Sequence, residues 1–312
     1  MFKYIILIAF ISFNTLFAED WEILNKVDGV PHWGFDINNS GVAVMCGMRN
    51  CSISDDFGKS WNKHYAGTDA ILNFAGFTPD GSIMVTGHKG TIVYFAKSGS
   101  KFEDRSAEPV YNLKKFIFTN QQNGFMISEG YYLLKTTDGG KNWEVEKIFR
   151  EYPFLKDIMN IGNTLYVATD NRDTAVIYKS IDNGKNWDII SIFPGENIQC
   201  IKNINGKIWI SGAGGLFANS DDGGKNWNWL NLKTKLYLSN FEVIGSKIWI
   251  YASWDKERII FFSDNSGKSW KEFDKTLTND WPGKLKILGD ELYIIEGYNS
   301  TVKRKNISKL LD

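Results

Sequence analysis

The residues with the clearest chemical potential are acids at fixed offsets. The pattern Ser/Thr-x-Asp-x-Gly-x-x-Trp occurs at Ser54-Asp56-Gly58-Trp61, Thr136-Asp138-Gly140-Trp143, Ser180-Asp182-Gly184-Trp187 and Ser220-Asp222-Gly224-Trp227. A fifth copy, Ser263-Asn265-Gly267-Trp270, carries the amide in place of the acid. Paired carboxylates are the machinery of glycoside hydrolysis, which needs two of them about 5–9 Å apart across one cleft. Asn265 argues against that use, because an amide accepts hydrogen bonds but cannot serve as an acid. In a tight turn the Asp side chain accepts backbone N–H groups, the Gly takes positive φ and the Trp packs between sheets. The box therefore reads as a structural staple. Glu129, Asp170, Asp173, Asp255 and Glu257 are the remaining candidates for a facing pair, with solvated loop acids as the simpler reading. His32, His64 and His88 have no ligand spacing. The run from Gly212 to Gly215 joins two strands and opens no helix, so it reads as a turn and not a phosphate loop. No metal and no cofactor is expected, and the balance is towards a protein that is not an enzyme.

These turns need elements to hold them. The tryptophans at 61, 143, 187, 227 and 270 are separated by 82, 44, 40 and 43 residues, a period of about forty with one copy missing. Phe102, in the degenerate segment AKSGSKFED, stands where that copy belongs. Seven alternating runs precede the boxes or their places: GVAVMCG (41–47), GSIMVTG (81–87), NGFMISEG (123–130), NTLYVATD (163–170), GKIWISG (206–212), SKIWIYA (246–252) and DELYIIEG (290–297). Each is followed by a tight loop, a second strand-like run, and a further strand opening with Trp or Phe. The unit is a four-stranded antiparallel sheet. Seven such units in residues 19–312, 42 residues each, predict an all-β, seven-bladed β-propeller. The last repeat reaches only its third strand at STVKRKN (300–306), and Trp21-Glu22-Ile23-Leu24 resembles a fourth strand. The N-terminal strand is expected to complete the last blade and remove the open edge.

With 36 Lys+Arg against 36 Asp+Glu, the chain has no global attraction for nucleic acid, and 43% hydrophobic residues exclude a disordered chain. Met1 to Ala18 has the charged start, apolar run and small-residue end of a secretory signal. It predicts export to a periplasmic or extracellular compartment, with 19–312 as one propeller domain and no transmembrane segment in the mature chain. Cys46 and Cys51 flank a hairpin tip, where a disulfide and two reduced thiols are both compatible with the spacing. Cys200, in NIQCIKNI, reads as core.

The chain resembles the Asp-box (BNR-type) propellers, and within them the photosystem II stability/assembly factor-like group. The resemblance rests on Phe35-Asp36, Gly41, Ala43-Val44 and Gly47, followed by Ser52-Ile53-Ser54, Asp56, Gly58 and Trp61, and on the same layout from Phe116 to Trp143. It spans essentially the whole mature chain. The resemblance implies an exported, non-enzymatic scaffold holding a membrane-protein intermediate on an Arg-rich propeller face. The box is shared by sialidases and other glycosidases, so a carbohydrate-active enzyme or glycan binder is the alternative. A sialidase would need an arginine triad and an Arg-Ile-Pro segment. No Arg-Ile-Pro occurs, and the six arginines are Arg49, Arg105, Arg150, Arg172, Arg258 and Arg304.

Loops joining second to third strands, and one blade to the next, share the face away from the boxes. That register assigns to it Trp33, Arg49, His88, Lys89, Lys114, Lys115, Tyr131, Lys156, Arg172, Trp254, Lys256, Arg258, Trp281, Lys284 and Tyr298. Arg, Trp and Tyr dominate protein-interface hot spots. The expected partner is a protein of the cell envelope.

Overall fold

Each repeat folds into a small sheet whose second strand is the most apolar, because blades stack face to face and cover both sides of it. In the first three blades these strands are buried at every position. The outermost strands alternate little and stay exposed. The computed structural model describes residues 21–26, 32–96, 102–106, 111–149, 154–171, 173–277, 283–296 and 301–311. The expected leader, 1–18, lies outside them.

The first strand in the chain is β1 (Glu22–Lys26). Blade 1 follows as β2 (His32–Ile37), β3 (Ala43–Gly47), β4 (Asn50–Ser54) and β5 (Asn62–Tyr65). Blade 2 is β6 (Leu72–Phe77), β7 (Ile83–Gly87), β8 (Ile92–Phe95) and β9 (Phe102–Asp104). Blade 3 is β10 (Leu113–Phe118), β11 (Gly124–Ser128), β12 (Tyr132–Thr136) and β13 (Glu144–Ile148). Blade 4 is β14 (Phe154–Ile161), β15 (Thr164–Asp170), β16 (Thr174–Ser180) and β17 (Asp188–Pro194). Blade 5 is β18 (Ile198–Ile204), β19 (Lys207–Gly212), β20 (Phe217–Ser220) and β21 (Asn228–Trp229). Blade 6 is β22 (Tyr237–Ile244), β23 (Lys247–Trp254), β24 (Glu257–Ser263) and β25 (Lys271–Leu277). Blade 7 is β26 (Lys284–Leu288), β27 (Glu291–Glu296) and β28 (Thr301–Asn306), with β1 as its fourth strand. The chain is a seven-bladed propeller of four-stranded antiparallel sheets, closed as the sequence predicts: Glu22 pairs with Arg304 and Lys26 with Thr301. A one-turn helix, α1 (Ser308–Leu311), follows the last strand and was not foreseen.

The box turns show why Ser, Asp and Gly recur. The Ser54 hydroxyl donates to Asp56 Oδ1 (2.8 Å) and accepts from the Gly58 N–H (2.9 Å), while Asp56 Oδ1 accepts the Ser60 N–H (2.9 Å). Gly58 stands at φ 81°, left-handed backbone that a side chain disfavours. In the amide copy, Asn265 Oδ1 accepts from Ser263 Oγ (3.0 Å) and the Ser269 N–H (2.9 Å), reproducing the turn without charge.

One apolar cluster fills each of the seven blade interfaces. Six contain a tryptophan: Trp21, Trp61, Trp143, Trp187, Trp227 and Trp270. The cluster between blades 1 and 2 contains none. Phe102, in register for that role, is instead 46% exposed, with its ring against Gly67.

Cys46 and Cys51 are direct cross-strand partners, as the hairpin reading requires, but both are buried free thiols. Of the two arrangements the spacing allows, the structure holds the free thiols. The reason is local: Cys46 Sγ points to the Leu72 carbonyl of blade 2, at 3.7 Å. Cys200 is buried, as expected of a core residue.

Candidate binding face at the mouth of the central channel

The innermost strand of each blade lines the channel, and six of the seven carry a register shift near their start: in β2, β6, β10, β14, β18 and β22. A bulge adds one residue and re-aims the side chains beside it. The residues it releases are Trp33, Asn73, Lys114, Lys156, Gln199 and Ser239. One step further in stand Gly34, Phe74, Lys115, Asp157, Cys200, Asn240 and Lys284, one from each blade, with Lys115 meeting Asp157 and Gly34 against the Phe74–Ala75 backbone.

Charges in these strands are unequal. The seven inner strands hold six lysines (Lys114, Lys115, Lys156, Lys202, Lys284, Lys286) and three acids (Asp36, Asp157, Glu242). Lys115 Nζ lies 2.6 Å from Asp157, Lys202 3.1 Å from Glu242 and Lys286 3.3 Å from Asp36, each pair joining two neighbouring blades. Lys156 is 3.0 Å from the buried Asp170, which also accepts from Asn197 Nδ2. Lys114 and Lys284 have no carboxylate within ion-pair distance among the described residues. Lys114 Nζ donates to the Leu155 carbonyl (3.4 Å). Lys284 reaches over the Phe74 ring, 4.9 Å from its centroid. Burial lowers the pKa of both ammoniums, opposed by Glu129 at Lys114 and by Cys46 and Asp36 at Lys284. An anion brought beside them would relieve that penalty. Asn240 Oδ1, in the same set, is buried with no hydrogen-bond partner.

Gly34 keeps this ring tight on one side. A Cβ there would stand 2.7 Å from the Ala75 backbone nitrogen of blade 2, so no larger residue fits.

The structure thus brings Trp33, Lys114, Lys115, Lys156 and Lys284 together at the channel mouth. Around it, on the same face, Tyr131 is 37% and Trp254 65% exposed, and Lys256 is exposed. Arg49 is exposed and paired with Asp69 at 3.2 Å. Lys89 is exposed beside the half-buried His88, and its N–H donates to Asn112 Oδ1. Arg172, Trp281 and Tyr298 lie outside the described residues. Arg258 corrects the expectation: it is 6% exposed, and its Nη1 donates to the Asp255 and Glu257 carbonyls (2.8 Å each), so it braces its own hairpin and offers little surface. Asp170, expected as a solvated loop acid, is 1% exposed and ion-paired, because it ends a buried second strand. Glu257 is held by Lys275 at 2.5 Å, and Glu129 accepts from Asn112 Nδ2 at 2.9 Å.

Sequence reasoning missed Asp157, Asn73, Gln199, Ser239 and Asn240. A signal was present. Two residues that break strict alternation stand between apolar positions in Leu72-Asn73-Phe74-Ala75, Leu155-Lys156-Asp157-Ile158 and Ile198-Gln199-Cys200-Ile201. Among the described residues no cluster of metal-ligating side chains occurs, and no helix is long and apolar enough to cross a membrane.

Comparison with known proteins agrees with this architecture. A family model described as the DUF6242 beta propeller domain matches residues 154–285, which span blades 4 to 6 and the start of β26. No curated protein matches the sequence. Among solved structures, YCF48 bound to D1 peptide is similar at TM-score 0.72 and 13% identity, over 92% of this chain and 94% of that one. YCF48 from Cyanidioschyzon merolae gives 0.72 and 12%, over 92% and 98%. Virginiamycin B lyase from Staphylococcus aureus gives 0.76 and 13%, over 91% and 98%. At such identities the likeness is one of fold.

Proposed function

We propose that this chain is an exported, non-catalytic binding propeller of the Asp-box class that holds a segment of another cell-envelope protein at its channel mouth. The observation that carries the reading is the pair Lys114 and Lys284, half-buried cations with no carboxylate partner among the described residues, under a face that exposes Tyr131 and Trp254. Cations short of counter-charge beside exposed aromatics suit a peptide segment carrying a carboxylate and an apolar or aromatic side chain. The YCF48 structure with a D1 peptide supports peptide binding as a use of this fold. The leader-like segment 1–18 supports export.

A carbohydrate-active role would ask two acids to face each other free of cations. At the channel mouth Asp157 and Asp170 are each tied to a lysine and Glu129 is held by Asn112, which supports the binding reading.

The test is site-specific photo-crosslinking in the intact cell envelope, with the crosslinker at Trp254 or Tyr131 and, as control, at Lys63 on the outer rim. A discrete adduct with one envelope protein from the first two positions alone, lost in Lys114→Gln/Lys284→Met, is expected. Equal adducts from all three positions, or adducts unaffected by the double substitution, would overturn the site.

A further inference from the structure

The interface between blades 1 and 2 departs from the other six. Elsewhere an indole from one blade packs against the preceding blade, and in four of these the indole N–H donates to the box glycine carbonyl: Trp61 at 2.9 Å, Trp143 at 3.2 Å, Trp187 at 2.7 Å and Trp227 at 3.2 Å. Blade 2 has no such ring. Its register places Phe95 where Ser54 and Thr136 stand, since Ile83 pairs with Phe95 as Ala43 does with Ser54 and Gly124 with Thr136. Phe102 stands in register for the tryptophan and turns away to Gly67.

What remains is a cleft of about 380 Å³ on the box side of the propeller, between Ile53 and His64 of blade 1 and Ile83 and Phe95 of blade 2. The corresponding cleft between blades 5 and 6, where Trp270 is in place, measures about 210 Å³. The larger volume falls within the range of small-molecule pockets, roughly 300–1,000 Å³. Its walls are apolar, with Phe95 buried and meeting the His64 ring edge-on at 5.8 Å. Its rim is polar: the side chains of Asp55, Asn62 and His64 line it and make no hydrogen bond to another described residue.

We propose that this cleft is a binding site for a small planar heteroaromatic molecule of indole size that carries an N–H donor. The shape is argued from the repeat itself, which fills the equivalent space with an indole at the six other interfaces. The donor is argued from Asp55, an acceptor at the rim with no partner among the described residues. The site lies on the face opposite the channel mouth and does not depend on the reading of that face.

The experiment is titration of the folded full chain with indole, by calorimetry and by methyl spectra of the isoleucines. One saturable site with Kd on the order of 1 mM or tighter is expected, with shifts at Ile53 and Ile83. Benzofuran, the same shape without the N–H, and the exposed-site variant Asp55→Asn should each bind about fivefold more weakly. Ile83→Trp, which fills the cleft from within, should weaken binding by about tenfold or more. Absence of saturation up to about 10 mM, a margin of roughly tenfold over that Kd, would overturn the proposal. So would equal affinity for benzofuran in both wild type and Asp55→Asn, or shifts confined to residues of the channel mouth. The benzofuran and Asp55→Asn arms decide the matter even if Ile83→Trp does not fold.

Discussion

Lys115 of the third inner strand and Asp157 of the fourth are joined at 2.6 Å, and the second oxygen of the same carboxylate accepts the Ile201 N–H of the fifth at 2.9 Å. One buried acid therefore ties three blades together at the level of the candidate site.

Removing that acid leaves the part-exposed Lys115 ammonium and the buried Ile201 amide without their partner. Asp157→Ala is expected to lower unfolding stability by about 3 kcal/mol, read from denaturant midpoints. A loss no larger than that of an exposed-residue control would mean the three-blade link contributes nothing.

The box acids predict the acid limb of stability. Hydrogen bonds from Ser60 hold the Asp56 carboxyl at about 2, and those from Asn186 hold Asp182 at about 2, against an ordinary value of 3.8. At Asp138 partial burial acts upward and is outweighed by bonds from Asn142, Thr136 and Lys141, again giving about 2. A carboxyl depressed in the folded state stabilises above its unfolded pKa, and that contribution is lost as pH falls through the folded value. Unfolding midpoints should therefore fall between about pH 4 and pH 2. Replacing Asp56, Asp138 and Asp182 by Asn, as blade 6 already does at 265, should flatten that fall.

At the seam, Arg304 and Glu22 pair at 2.5 Å with the glutamate largely exposed, while Leu24 packs in the cluster between blades 7 and 1. Arg304→Ala should cost less than about 1 kcal/mol, whereas Leu24→Ala should cost about 2 kcal/mol. The comparison by thermal unfolding separates ion pair from packing as what holds the ring shut.

Arg258 is expected to matter for folding and not for partner capture. Arg258→Ala strips the Asp255 and Glu257 carbonyls of their donor and should destabilise by about 2 kcal/mol. Crosslinking from Trp254 at a temperature where the variant is folded should remain.

The thiols should be inert in the native state. Burial pushes Cys46 and Cys200 up to about 12, so neither is a thiolate near neutrality. Alkylation at pH 8 should label none of the three cysteines before unfolding; fast labelling of Cys46 would show the blade 1 and 2 interface to be open.

The ring is legible in the chain alone. A Trp-marked period, seven apolar runs and an orphan strand at the N-terminus set the blade number and the closure, because both depend on local pairing and on the count of repeats. The box turns were equally legible, since Ser54, Asp56 and Gly58 satisfy one another within five residues. The site depends on how the blades pack. Lys114, Lys115, Lys156 and Lys284 could be placed on one face from register, but which lysine meets which acid depends on packing: Lys115 reaches Asp157 of the next blade, while Lys156 meets Asp170 on the second strand of its own. The same holds for Arg258 and Asp170, whose loop positions suggested exposure and which are instead held by their partners, the Asp255 and Glu257 carbonyls for Arg258 and Lys156 with Asn197 for Asp170. The empty cleft of blade 2 needed both levels: the missing tryptophan is visible in the chain, and the space it leaves is enclosed by Ile53 and His64 of one sheet and Ile83 and Phe95 of the next.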